Sequence, residues 1–424
     1  MTPMSRLILT ATICMAAFTP ALPARPYDSR QALADPSFRT LQVIKDGNLM
    51  AAPIIDLYSD SKIEVSFDEI ADDYSRLRYR LVHCNADWQP SRLLESEFLD
   101  GFNEAEIDDY AFSRNTYTHY VNYRFEIPSQ HMRPTTSGNY VVEIYREDDP
   151  DDVIGRARFS VSENVAVITG DASARTDRGV NSDWQQLRLR VSPGVDNINP
   201  YADIILSITS NSRPDTERFI HAPSRVEGDL SVYDHMPQLI FPAGNEYRRF
   251  ETVRADYPGM GVDSISFIDR NYHAWLSTAE CRKDRPYSYD STQRGRFMID
   301  EYNATDPQLG ADYIIVHFSL SMPPMHDADI YVEGDLAERR FSERNRMTYD
   351  SASGCYTLEM PLKQGSYNYQ YVALKNDGNG ASDASATEGN KYETVNEYLI
   401  KAYLRLPAAR ADRLIGTANI ISNH

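Results

Sequence analysis

The stretch Val121-Asn122-Tyr123-Arg124-Phe125-Glu126-Ile127 alternates apolar and polar side chains without a break. Successive side chains of an extended strand point to opposite faces. Val121, Tyr123, Phe125 and Ile127 therefore share one face, and Asn122, Arg124 and Glu126 the other. The same period of two recurs along the chain. Ile63, Val65 and Phe67 alternate with Lys62, Glu64 and Ser66; Leu77, Tyr79 and Leu81 with Arg76, Arg78 and Arg80; Leu187, Leu189 and Val191 with Arg188 and Arg190. Further examples are Ile204-Leu206-Ile208, Ile314-Val316-Phe318, Tyr356-Leu358-Met360 and Tyr367-Tyr369-Tyr371. Each reads as a half-buried antiparallel strand, with arginine stems covering apolar surface on the outer face.

Helical signal is weak. Ser91–Leu99 is compatible with one short helix capped by Ser91, and Asn103–Tyr110 is a poorer candidate. Strands and helices do not alternate, so a parallel α/β sheet is not expected. Short strands separated by Gly, Pro, Asn and Asp turns predict an all-β protein of three consecutive β-sandwich domains. The expected divisions are residues 25–163, 164–295 and 296–424, with polar connectors at 170–183 and 281–295. Residues 376–390 have no apolar side chain larger than Ala and predict a mobile loop; Arg413–Ile421 reads as a last strand.

The length of 424 residues agrees with about three domains at about 150 residues each. The formal net charge is -19, which opposes binding to a phosphate backbone or an anionic membrane surface. Residues 25–163 hold 26 acidic and 15 basic side chains, a net of -11 and the larger share of that charge. Tyr supplies 28 of the 46 aromatic residues, and Arg outnumbers Lys 36 to 7.

Residues 1–24 read as a secretory signal peptide. Arg6 is followed by an apolar run from Leu7 to Phe18, then by small residues and prolines to Ala24, with cleavage expected after Ala21 or Ala24. Ile13 is too bulky to precede a lipidated Cys14. Later apolar runs are all shorter than a membrane span, so the exported chain is expected to be soluble. It keeps Cys84, Cys281 and Cys355, whose odd number and wide spacing read as small buried hydrophobes rather than a disulfide framework.

Motifs of catalysis are missing: no GxSxG, HExxH, P-loop or CxxC occurs. His83 and Cys84 are neighbours on a strand, so they point to opposite faces and cannot pair as base and nucleophile. His326-Asp327 and Asp234-His235 sit beside prolines and read as loops. The run Glu147-Asp148-Asp149-Pro150-Asp151-Asp152 lacks the ligand spacing of a calcium loop and reads as a solvated hairpin tip. Trp88 and Trp275 lie in apolar contexts that predict core packing. No catalytic, cofactor-binding or metal-binding residue is named, no cofactor is expected, and the chain is expected not to be an enzyme.

Several strings together resemble the plug protein family of the type IX secretion system. They are His83-Cys84-Asn85-Ala86-Asp87-Trp88, Phe98-Leu99-Asp100-Gly101-Phe102-Asn103-Glu104, Gly244-Asn245-Glu246-Tyr247-Arg248, Tyr272-His273, Arg346-Met347-Thr348-Tyr349, Leu362 to Val372 and Asp412-Arg413-Leu414-Ile415-Gly416. The resemblance spans nearly all of the exported chain. It implies a periplasmic protein of Bacteroidota-type bacteria that seals the periplasmic opening of the outer-membrane translocon barrel when cargo and gate partner are absent. That barrel is the implied protein partner, and the family brings no active-site residues with it. Residues 329–374 also resemble early-set β-sandwich modules related to glycogen-binding domains, through Val332-Glu333-Gly334, Met347-Thr348-Tyr349 and Gly365-Ser366-Tyr367-Asn368-Tyr369. The sugar-stacking Trp expected after Gly334 is replaced by Asp335-Leu336-Ala337-Glu338-Arg339-Arg340. A periplasmic carbohydrate-binding protein is the alternative reading, and a hydrolase with a site invisible in one sequence a third.

Overall fold

The computed structural model describes residues 27–376 and 382–422. The expected signal peptide and the tip of the 376–390 segment lie outside these residues. The described chain is almost all β, with 49% strand and 4% helix.

The first unit packs two sheets face to face. One orders Ala32–Leu33, Asp149–Ser162, Gly138–Arg146, Leu77–Cys84 and Ala105–Glu106, with Ile54–Asp56 added in parallel to Asp149–Ser162. The other orders Phe38–Lys45, Ile63–Glu69, Val121–Ile127 and Asp109–Phe112. The alternating residues meet as expected: Val65, Phe67, Leu81, Tyr123, Phe125, Tyr140 and Phe159 fill one core. Phe67 stacks on Tyr123 at 5.3 Å, and Tyr140 on Phe159 at 5.2 Å. The acidic run at 147–152 forms the exposed end of the Gly138–Arg146 and Asp149–Ser162 hairpin, tethered by Arg78 to Glu147 and Arg146 to Asp152.

The remaining strands divide differently from expectation. One pair of sheets joins Val167–Ser173, Trp184–Ser192, Arg225–Glu227, Leu230–Tyr233 and Ile240–Pro242 on one side. On the other it joins Arg218–Ile220, Ile204–Ser210, Glu397–Leu404 and Arg413–Ile421. Leu187, Leu189, Leu206, Ile208, Tyr398 and Ile400 form its core. The third unit contains every strand from Arg248–Glu251 to Gly365–Lys375, including Val262–Ile268 and Asn271–Leu276. The chain thus leaves the second unit near residue 243, builds the third, and returns to close the second with its last hairpin. The expected boundary at 295/296 is corrected. Period two identifies a strand and its apolar face, but the partner strand is chosen by tertiary pairing across any distance in sequence.

Three smaller expectations change. The helix expected at 91–99 is one turn, Glu95–Phe98, and Ser91 binds the His83 ring instead of capping it. Residues 103–110 form edge strands, Ala105–Glu106 and the start of Asp109–Phe112, not a helix. The described part of 376–390 is ordered: Thr387 and Glu388 are completely buried, because the polar side chains find buried partners that a composition rule cannot see.

Candidate functional site

Four of the strings that carry the family resemblance, His83–Trp88, Gly244–Arg248, Leu362–Val372 and Asp412–Gly416, lie at the joints between the units. In the first joint part of the polar face of Val121–Ile127 and Ile63–Glu69, at Asn122, Ser66 and Asp68, is not solvated but buried against the third unit. Asp68 and Lys363 are both fully buried, with Nζ to Oδ2 at 2.6 Å. Asn122 Nδ2 and Tyr313 Oη donate to the two Asp68 oxygens at 2.7 and 2.8 Å. Lys363 also donates to the Gln308 carbonyl at 2.7 Å and lies 4.1 Å over the Tyr120 ring. Burial pulls the Lys363 pKa down while Asp68 pulls it back up. Asp312 accepts the backbone N–H groups of Tyr117 and Thr118 across the same seam.

The His83-to-Trp88 string turns the chain into the second joint. Asp412 accepts the Ala86 N–H at 2.9 Å, and its own N–H reaches Asn85 Oδ1 at 3.1 Å. Tyr403 donates to Asn139 Oδ1 at 2.8 Å, and Asn139 Nδ2 donates to the Asn85 carbonyl at 2.9 Å. Gly416 completes the string from Asp412: a Cβ there would lie 2.6 Å from the Ala166 carbonyl oxygen. His83 and Cys84 point to opposite faces as expected. His83 lies between Ser91 Oγ and the Ser137 carbonyl, while Cys84 packs with Trp88 and Val141.

The third joint gathers charge in the core. Glu388 is fully buried and accepts from Arg248 at 2.9 Å, Arg282 at 2.7 Å and the Tyr371 N–H at 2.9 Å. Asn245 Nδ2 binds the Glu388 carbonyl at 2.7 Å. Glu397, on the returning strand, receives both Arg294 and Arg296 at 3.2 Å. These carboxylates carried no local motif, so sequence reasoning passed over them.

Where the three units meet, two cavities of about 660 and 230 Å³ share Arg30, Leu41, Phe297, Asp335, Glu338 and Arg340 in their walls and form one cleft. At one end stands Trp88, with Arg158 at 4.2 Å and Lys401 at 4.8 Å from its ring centre. Trp88 is buried as expected, but it serves as a cleft wall and holds φ of +62°. That left-handed conformation costs a bulky residue about 1–3 kcal/mol and persists only where surrounding contacts impose it.

Trp275 departs from its expected place in a core. It lies half-buried on the outer face of its sheet, stacked on His317 at 4.6 Å, and His317 meets His273 at 2.9 Å. The three cysteines are free, with Cys281 only half-buried. His235 leans on Asp177 at 2.9 Å in an exposed loop. Among the described residues no group of three or more His, Cys, Asp or Glu side chains is arranged to hold a metal.

These features define an all-β body of sheet units joined through buried polar networks, in which no described helix is long and apolar enough to cross a membrane. Residues 38–163 match the type 9 secretion system plug protein 1st domain. That match gives the chain a type 9 secretion-related role, a partner within that system and a place in the cell envelope. Over most of its length the chain is similar to the crystal structure of a hypothetical protein from Parabacteroides merdae. The two are 38% identical over 92% of this chain and 99% of that one, with a TM-score of 0.90, and this chain belongs to the same family. An alkylpurine DNA glycosylase of Pseudomonas fluorescens aligns at 12% identity over 30% of each chain with a TM-score of 0.19. Dimeric latent PorU of Porphyromonas gingivalis aligns at 10% identity over 92% of this chain and 34% of that one, with a TM-score of 0.15. Neither carries an argument. No curated protein matches the chain.

Proposed function

We propose that this protein is the plug subunit of a type IX secretion translocon, exported to the periplasm and seated reversibly against the periplasmic opening of the outer-membrane barrel. The observation that carries the reading is the plug-domain match at residues 38–163. A stopper needs a fixed shape and no chemistry. The buried joints favour a single stiff body, and the role requires no catalysis.

Reversible closure favours a moderate, partly polar interface over an obligate apolar one. The net charge of -11 on residues 25–163 would speed encounter with a basic rim and act less at high salt. Purified protein passed over immobilised barrel should bind cargo-free barrel and not barrel occupied by its gate partner. Its association rate should fall as ionic strength rises. Equal binding to free and occupied barrel would remove the stopper mechanism; a salt-independent rate would remove only the electrostatic steering.

We read the third unit as early-set-like but without its sugar site. Gly334 leads directly into a short turn, Asp335–Ala337, and Arg339 behind it pairs with Glu333 at 2.9 Å and Asp335 at 2.6 Å. Calorimetry against glycogen-type and peptidoglycan-type glycans should give no heat above dilution. Micromolar binding to either would replace the plug reading with the carbohydrate-binding one.

A further inference from the structure

The cleft at the meeting of the three units has a charge balance opposite to that of the whole chain. Arg39, Arg158, Arg340, Arg344 and Lys401 line it without a carboxylate in ion-pair distance among the described residues. Asp28, Asp335 and Glu343 in the same walls are already paired with Arg30, Arg339 and Arg346. Glu217, Glu338 and Glu359 remain, so five cations face three carboxylates in a protein of net charge -19.

The Trp88 end is the most built part. Arg158 spends Nε and one Nη on Ser29, at 2.6 and 2.7 Å, and keeps its other Nη. Lys401 donates to Ser160 Oγ at 2.9 Å and, at 3.5 Å, to Asn139 Oδ1, which leaves one of its three N–H groups for a ligand. Burial lowers the Arg158 pKa and takes Lys401 to about 8, with Glu217 as the nearby carboxylate pulling both back up. An anion arriving here would relieve that cost. Apolar side chains continue the wall, from Ile44 and Leu41 toward Met360. The cavity volumes, about 660 and 230 Å³, suit a small ligand.

We propose that this cleft binds a carboxylate carried on an apolar group, with the carboxylate held by Arg158 and Lys401 beside Trp88 and the apolar part along the wall past Leu41. The remaining Nη of Arg158 and the Lys401 ammonium can each donate a charge-assisted hydrogen bond, one to each carboxylate oxygen. A doubly charged phosphate would meet more repulsion from Glu217, Glu338 and Glu359. The same chemistry has two sources, a free amphipathic acid or the C-terminal residue of a peptide.

The test is calorimetric titration of the purified protein with four probes. They are N-acetyl-leucine, its amide, a pentapeptide ending in a free leucine carboxylate, and the amide of that peptide. Both acids should bind, and both amides at least about tenfold more weakly, a difference of about 1.4 kcal/mol. Arg158→Gln and Lys401→Gln should each lose at least about tenfold, while Lys401→Arg keeps most of the affinity. Thermal melting of each variant checks folding; should Arg158→Gln fail to fold, the two Lys401 variants decide. A peptide acid that binds tenfold tighter than N-acetyl-leucine assigns the source to a chain terminus, and equal affinity assigns it to a free acid. Acids weaker than about 10 mM, amides that bind as well as acids, or Lys401→Gln with unchanged affinity would each overturn the proposal.

Discussion

Lys363→Ala should destabilise the folded protein by about 3–5 kcal/mol, because it strands a buried carboxylate. Asp68 is almost wholly enclosed between the first and third units and would keep only the neutral donors Asn122 and Tyr313. Asp68→Ala should cost a similar amount, since it leaves the ammonium with the Gln308 carbonyl and the Tyr120 ring. The double change Asp68→Leu with Lys363→Met should be milder than either single change, because it removes both charges together. Lys62→Ala is the control: its pair with Glu126 is about half exposed at both ends, and such pairs contribute about 0–1 kcal/mol. Urea denaturation followed by tryptophan fluorescence reads all four. Single variants within about 0.5 kcal/mol of the parent would mean that the joint does not hold the units together.

Glu388→Gln should also cost about 3–5 kcal/mol at neutral pH, and its effect should depend on pH in a fixed direction. Burial alone would raise the Glu388 pKa, but Arg248 and Arg282 outweigh it and hold the carboxyl below its ordinary value. A glutamate in the unfolded chain titrates near about 4.3. The folded value lies lower, so the stabilisation is fully present above the unfolded value and is lost as pH falls through the folded one. The parent should therefore lose its advantage over Glu388→Gln progressively below about pH 4. Denaturation midpoints of the two proteins measured from pH 7 down to pH 3 give the answer. A gap that stays constant over that range would show that the carboxylate charge is not what binds the two arginines.

Glu388 also marks where reading the sequence stopped. Its segment, with nothing apolar larger than alanine, has the composition of a loop. Burial there is driven by two arginines that arrive from residues 248 and 282, more than a hundred positions earlier. Asn122 shows the same limit on a strand. Alternation placed it correctly on the face opposite Tyr123, but that face meets another unit instead of water. Trp275 shows the reverse, an aromatic in an apolar string that faces outward onto His317. The recognisable strings were legible because they are contiguous. Their work at the joints was not, because each joint pairs one string with residues from elsewhere: Lys363 with Asp68, and Ala86 with Asp412.

What the sequence by itself determined is therefore local. Period-two patterning set which residues are strands and which face of each is apolar, since the pleat turns alternate side chains to opposite sides. It also excluded a helical or α/β fold, since no segment carries a sustained 3.6-residue apolar period. The tertiary structure alone decided which strands pair, and so that Glu397–Leu404 and Arg413–Ile421 return to the second unit. It alone decided that polar strand faces become buried joints, and that Arg158, Lys401 and Trp88 meet at one end of a cleft. The physical reason is that a strand's hydrogen-bonding edges and a charged side chain's partners are satisfied through space, by groups that the local pattern does not encode.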